Sequence, residues 1–155
     1  MHTPLLRRRH FTLSLLALAS QGFGVSAQAA KAARILVVGD SLSAEYGLTR
    51  GTGWVNLLQQ KLLQERPGTE VVNASISGDT TSGGRSRLPA LLRQHQPSVV
   101  IIELGGNDAL RGLPMSTTRD NLAAMVQAST TAGARVLLLG MEMPPNYGAR
   151  YAQEF

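Results

Sequence analysis

Short runs of apolar, often β-branched residues alternate along the chain with longer segments in which apolar residues recur at helical spacing. Each run has the length and composition of a strand that is buried on both faces. The predicted strands cover residues 35–38, 70–75, 98–104 and 135–141. The helical patterns between them lie at about 54–66, 88–95 and 117–131. Alternating strands and helices predict right-handed βαβ units, so the fold class is α/β, with a parallel sheet covered on both faces.

The ends of the helices are predicted from residues that start or stop helical structure. Residues 81–87 are rich in Gly and Ser, which predicts a loop, and Pro89 suits the first turn of the helix after it. Ser116 or Thr117 is the predicted N-cap of the third helix. Residues 149–155 have the pattern of the first turns of a further helix.

A glycine followed by polar residues comes after each of the first three strands. The three clusters are Gly39-Asp40-Ser41, Gly78-Asp79-Thr80 and Gly106-Asn107-Asp108. Each alone is compatible with an ordinary turn or helix cap. However, parallel strands end at the same edge of a sheet, so the three clusters are expected to share one crevice. That crevice would hold a hydroxyl, a backbone N–H without a neighbouring Cβ, and a side-chain amide, which are the groups that acyl transfer requires.

Residues 1–29 have the pattern of an export signal. Arginines at 7–9 form a positive segment, residues 11–19 form a short apolar core, and Ala-Gln-Ala at 27–29 fits a cleavage site. The Arg-Arg-His-Phe sequence at 8–11 resembles a twin-arginine signal, although general secretory signals can also be rich in arginine. The apolar core is shorter than the ~20 residues that span a bilayer, so no stable membrane anchor is predicted. We therefore expect a periplasmic or secreted protein.

Composition narrows the possible functions of the remaining single domain, residues 30–155. Three of the 15 Lys and Arg residues lie in the signal, which leaves 12 against 10 Asp and Glu and a net charge of +2. There is no basic run, so nucleic-acid binding is not predicted. The chain has no cysteine, which excludes thiol chemistry and a disulfide framework. No strand-end loop has a phosphate-binding glycine pattern, so no cofactor is expected.

Together the three clusters resemble the first motif blocks of the SGNH (GDSL) hydrolases. Within this family, the chain resembles the bacterial periplasmic thioesterases, lysophospholipases and arylesterases. The matching segments are Gly39–Ser43, Asn73–Thr80 and Gly105–Asp108. The resemblance implies a flavodoxin-like, three-layer α/β/α fold and no metal. It also implies Ser41 as the nucleophile, with the Ser41 N–H, the Gly78 N–H and the Asn107 side chain as oxyanion donors. The implied substrates are small acyl esters, thioesters or lysophospholipids, acted on by an enzyme that is a monomer when full length.

One family block has no counterpart in the 155 residues. The resemblance implies an Asp-x-x-His block that supplies the general base, whereas the histidines here are His2, His10 and His95. The first two lie in the predicted signal, and His95 is expected at the opposite end of the sheet from the crevice. Asp40 adjoins Ser41, but a carboxylate is a weak base for a serine hydroxyl.

Three functions follow from these observations. The first is an exported serine hydrolase that forms an acyl-serine intermediate, of which residues 30–155 are the N-terminal part. The second is a binder of acyl or glycan ligands that keeps the crevice without the base, and the third is a flavodoxin-like small-molecule-binding module. A sheet of order 2-1-3-4-5 would place a fifth strand beside residues 135–141, so this truncated domain is expected to expose an apolar edge and to aggregate.

Overall fold

The structure is a computed structural model that describes residues 33–143 and 149–155. The predicted export signal lies outside these residues. Four parallel strands form one sheet: β1 (Arg34–Gly39), β2 (Glu70–Asn73), β3 (Val99–Glu103) and β4 (Arg135–Leu138). Five helices are described: α1 (Trp54–Glu65), α2 (Thr81–His95), α3 (Gly106–Leu110), α4 (Met115–Thr131) and α5 (Ala149–Glu154). The strand order is β2-β1-β3-β4, so the predicted α/β class and the flavodoxin-like order are confirmed.

The sheet separates two apolar layers because successive side chains of a strand point to opposite faces. Leu36 and Val38 of β1 pack on one face with residues of α2 and α4, and Val37 packs on the other face with Val55 of α1. All four of these core residues are buried. The result is the expected α/β/α sandwich, in which β1 is held between β2 and β3.

Helix α2 begins earlier than the sequence suggests, at Thr81, so the predicted loop at 81–87 is wrong. The Thr80 hydroxyl accepts a hydrogen bond from the Gly83 N–H at 3.3 Å, which caps the first turn. Glycine is needed inside this helix because a Cβ on Gly84 would lie 2.3 Å from Leu104 Cδ1. The small residues that predicted a loop therefore allow close packing of a helix. Pro89 lies within the helix at an exposed position, not in its first turn.

Helix α4 also begins earlier than predicted. Its N-cap is Pro114, and neither Ser116 nor Thr117 occupies that position. The Pro114 carbonyl accepts a hydrogen bond from the Thr117 N–H at 2.9 Å, which closes the first turn. The short helix α3 was not predicted, because the sequence gives only a glycine pair before Asn107. The helix predicted near the C-terminal residues is confirmed as α5.

The buried carboxylate of Asp108 joins three helices. Asp108 is 1% exposed and belongs to α3. It accepts hydrogen bonds from the Thr81 N–H at 2.8 Å and the Thr81 hydroxyl at 2.5 Å, both from α2. A third, from the Thr118 hydroxyl of α4, is 3.3 Å long. Asp108 therefore adds to the Thr80 cap at the start of α2 by binding the Thr81 N–H, and it fixes the position of its neighbour, Asn107.

One long side of the sheet ends at β4, which pairs with β3. Leu137 and Leu138 in this strand are 49% and 47% exposed. Such a strand presents backbone donors and acceptors, together with apolar side chains, to any strand that approaches it. Within residues 33–143 and 149–155, no helix is long and apolar enough to cross a membrane.

We predict that residues 30–155 self-associate through β4 and that Leu137→Lys reduces this association. A charge on an edge strand opposes pairing with a second chain, and Leu137 lies outside the buried core. The measurement is size-exclusion chromatography with light scattering over a range of concentrations. Leu63→Lys, a change at an equally exposed leucine of α1, is the matched control and should leave association unchanged. A wild-type fragment that stays monomeric throughout would contradict the prediction.

We also predict that Asp108→Asn lowers the free energy of unfolding by about 2–4 kcal/mol, because it replaces one acceptor oxygen with an NH₂ group that faces existing donors. Urea denaturation followed by circular dichroism measures the loss. Asp120→Asn, at an exposed position of α4, provides the control. An Asp108→Asn protein as stable as the wild type would show that the three hydrogen bonds contribute little.

Candidate active site

Ser41 lies on the turn that follows the central strand β1. The preceding Gly39 is required for reasons of space: a Cβ there would lie 2.6 Å from the Ser43 Oγ and 2.9 Å from the Glu103 Oε2. The chain leaves the strand in a series of turns, one of which is closed by a hydrogen bond from the Tyr46 N–H to the Ser41 carbonyl at 3.2 Å. Ser41 itself is half-buried at the carboxyl end of the sheet, where parallel α/β sheets bind their ligands.

Asp40 is buried beside Ser41, with 3% of its surface exposed. Its Oδ1 accepts a hydrogen bond from the Leu42 N–H at 3.1 Å, which stabilises the turn that carries Ser41. Its Oδ2 accepts a hydrogen bond from the Asn107 Nδ2 at 2.9 Å. From the sequence, Asp40 is expected to be only a turn residue or a weak base. Asp40 instead links the turn of Ser41 to the third cluster.

The Asn107 amide joins all three clusters. Besides its bond to Asp40, the Nδ2 donates to the Asp79 backbone carbonyl at 2.9 Å. Because both partners are acceptors, they fix the orientation of the amide with its NH₂ group towards them. Ser41 directly follows Asp40 and Gly78 directly precedes Asp79, so one nitrogen atom brings together the turns of the predicted nucleophile and the predicted oxyanion donor. Both hydrogens of that nitrogen are engaged in this structure.

The turn that carries Gly78 is held from two further sides. Gly78 has a φ of +79°, a conformation that favours glycine, and its carbonyl accepts a hydrogen bond from the Arg111 Nη2 at 2.8 Å. The Asp79 carboxylate forms an ion pair with the Arg87 Nε at 2.8 Å, and Arg87 also donates to the Ala74 carbonyl. These contacts hold the turn that carries Gly78 from two sides.

Glu103, at the end of β3, is a buried carboxyl that the sequence analysis did not select. It is 6% exposed, and its Oε2 accepts a hydrogen bond from the Ser43 hydroxyl at 2.7 Å. Burial raises the pKa of Glu103 above its ordinary value, and the nearby charge of Asp40 acts in the same direction. The hydrogen bond from Ser43 opposes this shift of the pKa. Glu103 could have been selected from the sequence, because it is the one charged residue at the end of an otherwise apolar strand.

His95 lies at the other end of the sheet, as predicted. It is the last residue of α2, and its carbonyl accepts a hydrogen bond from the Arg34 Nη1 at 2.7 Å, at the amino end of β1. It therefore cannot serve as a base for Ser41. In the part of the chain that the structure describes, no group of His, Cys, Asp or Glu is arranged to hold a metal ion.

An apolar cavity of about 490 Å³ lies between α4, β4 and α5. Its lining includes Leu104, Met115, Met141 and Phe155. The Phe155 ring approaches the backbone at Gly105, where a Cβ would lie 3.2 Å from it. Met115 and Met141 line this cavity, whereas Met143 is buried.

Comparisons with known proteins agree with the α/β fold. Residues 37–155 match the GDSL-like Lipase/Acylhydrolase family. The chain is 56% identical over 128 residues to the Esterase TesA of Pseudomonas aeruginosa, which covers 83% of this chain and 64% of that protein. It is 48% identical over 128 residues to the Thioesterase 1/protease 1/lysophospholipase L1 of Escherichia coli, covering 83% and 60%.

A solved structure supports the same assignment. The crystal structure of a psychrotrophic esterase, EstA from Pseudoalteromonas sp., inhibited by monoethylphosphonate, superimposes with a TM-score of 0.74 at 49% identity. The match covers 79% of this chain and 67% of that one. The chain spans less than two thirds of the length of the two curated relatives above. The resemblance drawn from the three motifs is confirmed, and the chain belongs to the GDSL-like lipase/acylhydrolase family.

Proposed function

We propose that this chain supplies the nucleophile and the oxyanion donors of an exported, monomeric serine hydrolase that cleaves small acyl esters, thioesters or lysophospholipids. The observation that carries the proposal is the Asn107 amide, which connects the turn of Ser41 with the turn of Gly78. No cofactor or metal has a role in the proposed reaction. The esterase and thioesterase names of the relatives support this substrate class.

The proposed reaction begins with attack of the Ser41 Oγ on the acyl carbon. The hydroxyl proton passes to a histidine of the Asp-x-x-His block that the family resemblance implies and that the 155 residues do not include. The oxyanion accepts hydrogen bonds from the Ser41 N–H, the Gly78 N–H and the Asn107 Nδ2. The leaving alcohol or thiol takes the proton from histidine. Water then hydrolyses the acyl-serine and restores the free hydroxyl.

Asn107 imposes one condition on this mechanism. Its two amide hydrogens already bind Asp40 and Asp79, so the developing oxyanion has to share or replace one of these acceptors. A negatively charged oxyanion competes well with the neutral carbonyl of Asp79, because hydrogen bonds to charged acceptors are the stronger ones. We therefore propose that the Asn107 amide keeps its hydrogen bond to Asp40. Its hydrogen bond to the Asp79 carbonyl is replaced by one to the oxyanion.

The rival function is a binder of acyl or glycan ligands that has the same crevice and no turnover. The observation in its favour is that His95, the only histidine of residues 30–155, lies at the far end of the sheet. The two functions differ in what an added base should do. A hydrolase gains turnover when an Asp-x-x-His block is present, and a binder does not.

We predict that the protein carrying an Asp-x-x-His block hydrolyses short acyl esters and that Ser41→Ala lowers kcat by at least about 10³-fold. Asn107→Ala should lower kcat by about 10²–10³-fold with little change in KM, because the oxyanion exists only in the transition state. Asn56→Ala, at an exposed position of α1, should leave both constants unchanged.

Residues 30–155 alone provide the second half of this test. Without the base, their ester hydrolysis should be weak, within the roughly 10³–10⁴-fold over water that binding and an oxyanion site can supply. A covalent ethylphosphonate adduct on Ser41, measured by mass spectrometry in the protein with the block, would identify the nucleophile directly. Full activity of residues 30–155 that His95→Ala abolishes would contradict the mechanism, and an unmodified Ser41 would favour the binder.

A further inference from the structure

A chain of two hydrogen bonds runs beneath the Ser41 turn, from α1 to β3. The Trp54 Nε1 donates to the Ser43 Oγ at 3.2 Å, and the Ser43 Oγ donates to the Glu103 Oε2 at 2.7 Å. The direction of donation is fixed because an indole N–H can only donate. The Ser43 oxygen therefore accepts from Trp54 and its own hydrogen is left for Glu103. We call these three residues the Glu103 relay.

The Glu103 relay holds the turn that carries Ser41 at a point close to Ser41. Ser43, which donates to Glu103, lies two positions after Ser41. The Asn73 Nδ2 donates to the Ser43 carbonyl at 2.8 Å, which secures the same residue from β2. Glu103 is part of a central strand that is paired on both sides, so it provides a rigid anchor for the turn.

The surroundings of Glu103 favour the protonated form of its carboxyl. Asp40, from the turn after β1, raises the pKa of Glu103, and burial raises it further. Arg87, a cation on α2, donates to the Gly39 carbonyl at 3.4 Å and pairs with Asp79. From α1, the relay contains the uncharged indole of Trp54. The second oxygen, Glu103 Oε1, has no hydrogen-bond partner within the described ranges, 33–143 and 149–155.

We propose that Glu103 is a positioning residue for Ser41, which holds the nucleophile turn through Ser43 while its carboxyl is ionised and loosens that turn when it is protonated. The ionised carboxylate accepts a charge-assisted hydrogen bond from Ser43, and the neutral acid accepts only a weaker one. The positional effect rests on the contacts of the relay. Only its consequence for turnover rests on the proposed function.

The sign of the pH effect follows from the raised pKa of Glu103. The pKa of Glu103 lies above the ordinary glutamate value of 4.5. As the pH is lowered, Glu103 is therefore protonated, and the relay weakened, before exposed glutamates are protonated. The same shift of the pKa means that ionising Glu103 costs folding stability. The stability it contributes is present below about pH 4.5 and is lost as the pH rises through its folded-state pKa. The ionised state thus orders the turn at the expense of stability.

Trp54 is the only tryptophan of the chain, so its fluorescence reports on the relay without any need for turnover. We expect the emission of residues 30–155, measured at concentrations at which light scattering shows a monomer, to change with a midpoint above pH 4.5, because ionisation of Glu103 changes the hydrogen bond that Trp54 makes through Ser43. Glu103→Gln and Ser43→Ala should each abolish this step. Glu65→Gln, at an exposed glutamate on the same helix as Trp54, is the matched control and should keep it.

A second carboxyl near Trp54 has to be distinguished. Glu45 accepts hydrogen bonds from the backbone N–H groups of Gly51 and Gly53, which lower its pKa, so it titrates below the ordinary glutamate value. A step above pH 4.5 that survives in both Glu103→Gln and Ser43→Ala would overturn the relay. If Glu103→Gln fails to fold, Ser43→Ala alone decides the point.

Turnover tests the positional role in the protein that carries the Asp-x-x-His block. Glu103→Gln should lower kcat by about fivefold at neutral pH with KM unchanged, the size expected when a neutral acceptor replaces a charge-assisted one. In the wild type, kcat should decline at acid pH as Glu103 is protonated. Glu103→Gln should lack this decline, because glutamine does not titrate. Wild-type kcat and pH profile in Glu103→Gln, with Ser41→Ala inactive, would refute the positional role and leave the proposed function intact. An active Ser41→Ala would refute the proposed function, while the fluorescence step would still test the relay.

Discussion

The two hydrogen bonds of the Asn107 amide are the constraint on which the crevice depends. They connect the turn after β1 with the turn after β2, and the amide itself stands on the helix that follows β3. A single nitrogen atom, the Asn107 Nδ2, thus connects three segments that are far apart in the sequence. Because that nitrogen faces two acceptors, the amide cannot rotate without losing both bonds. The position of Ser41 relative to Gly78 follows from this restraint.

Buried carboxyls support this arrangement, and each has a different kind of partner. Asp40 binds the Asn107 amide, and Asp108 binds the first turn of α2. Glu103 binds the hydroxyl of Ser43. A buried carboxylate is costly unless donors compensate its lost hydration. Asp108 has three such donors, whereas Glu103 has an oxygen without a partner among the described residues, and burial raises the pKa of Glu103 above its ordinary value.

One set of exposed apolar residues lies at the edge strand β4. Leu137 and Leu138 are half exposed there, and the cavity beside α4 is lined by apolar side chains. The three clusters follow β1, β2 and β3, and β1 is paired on both sides, with β2 and with β3. The turn that carries Ser41 therefore follows an interior strand that is separated from the edge at β4 by β3.

The sequence by itself determined the α/β class, the four strands, and the placement of Ser41, Gly78 and Asn107 after three strands, because side-chain periodicity and glycine turns are local properties. Only the tertiary structure decided where α2 begins, since its first N–H is bound by Asp108, 27 residues away. The same holds for Glu103, whose partner Ser43 lies 60 residues away in the chain. Caps and buried hydrogen bonds supplied by distant segments leave no local pattern, so the sequence alone could not reveal them.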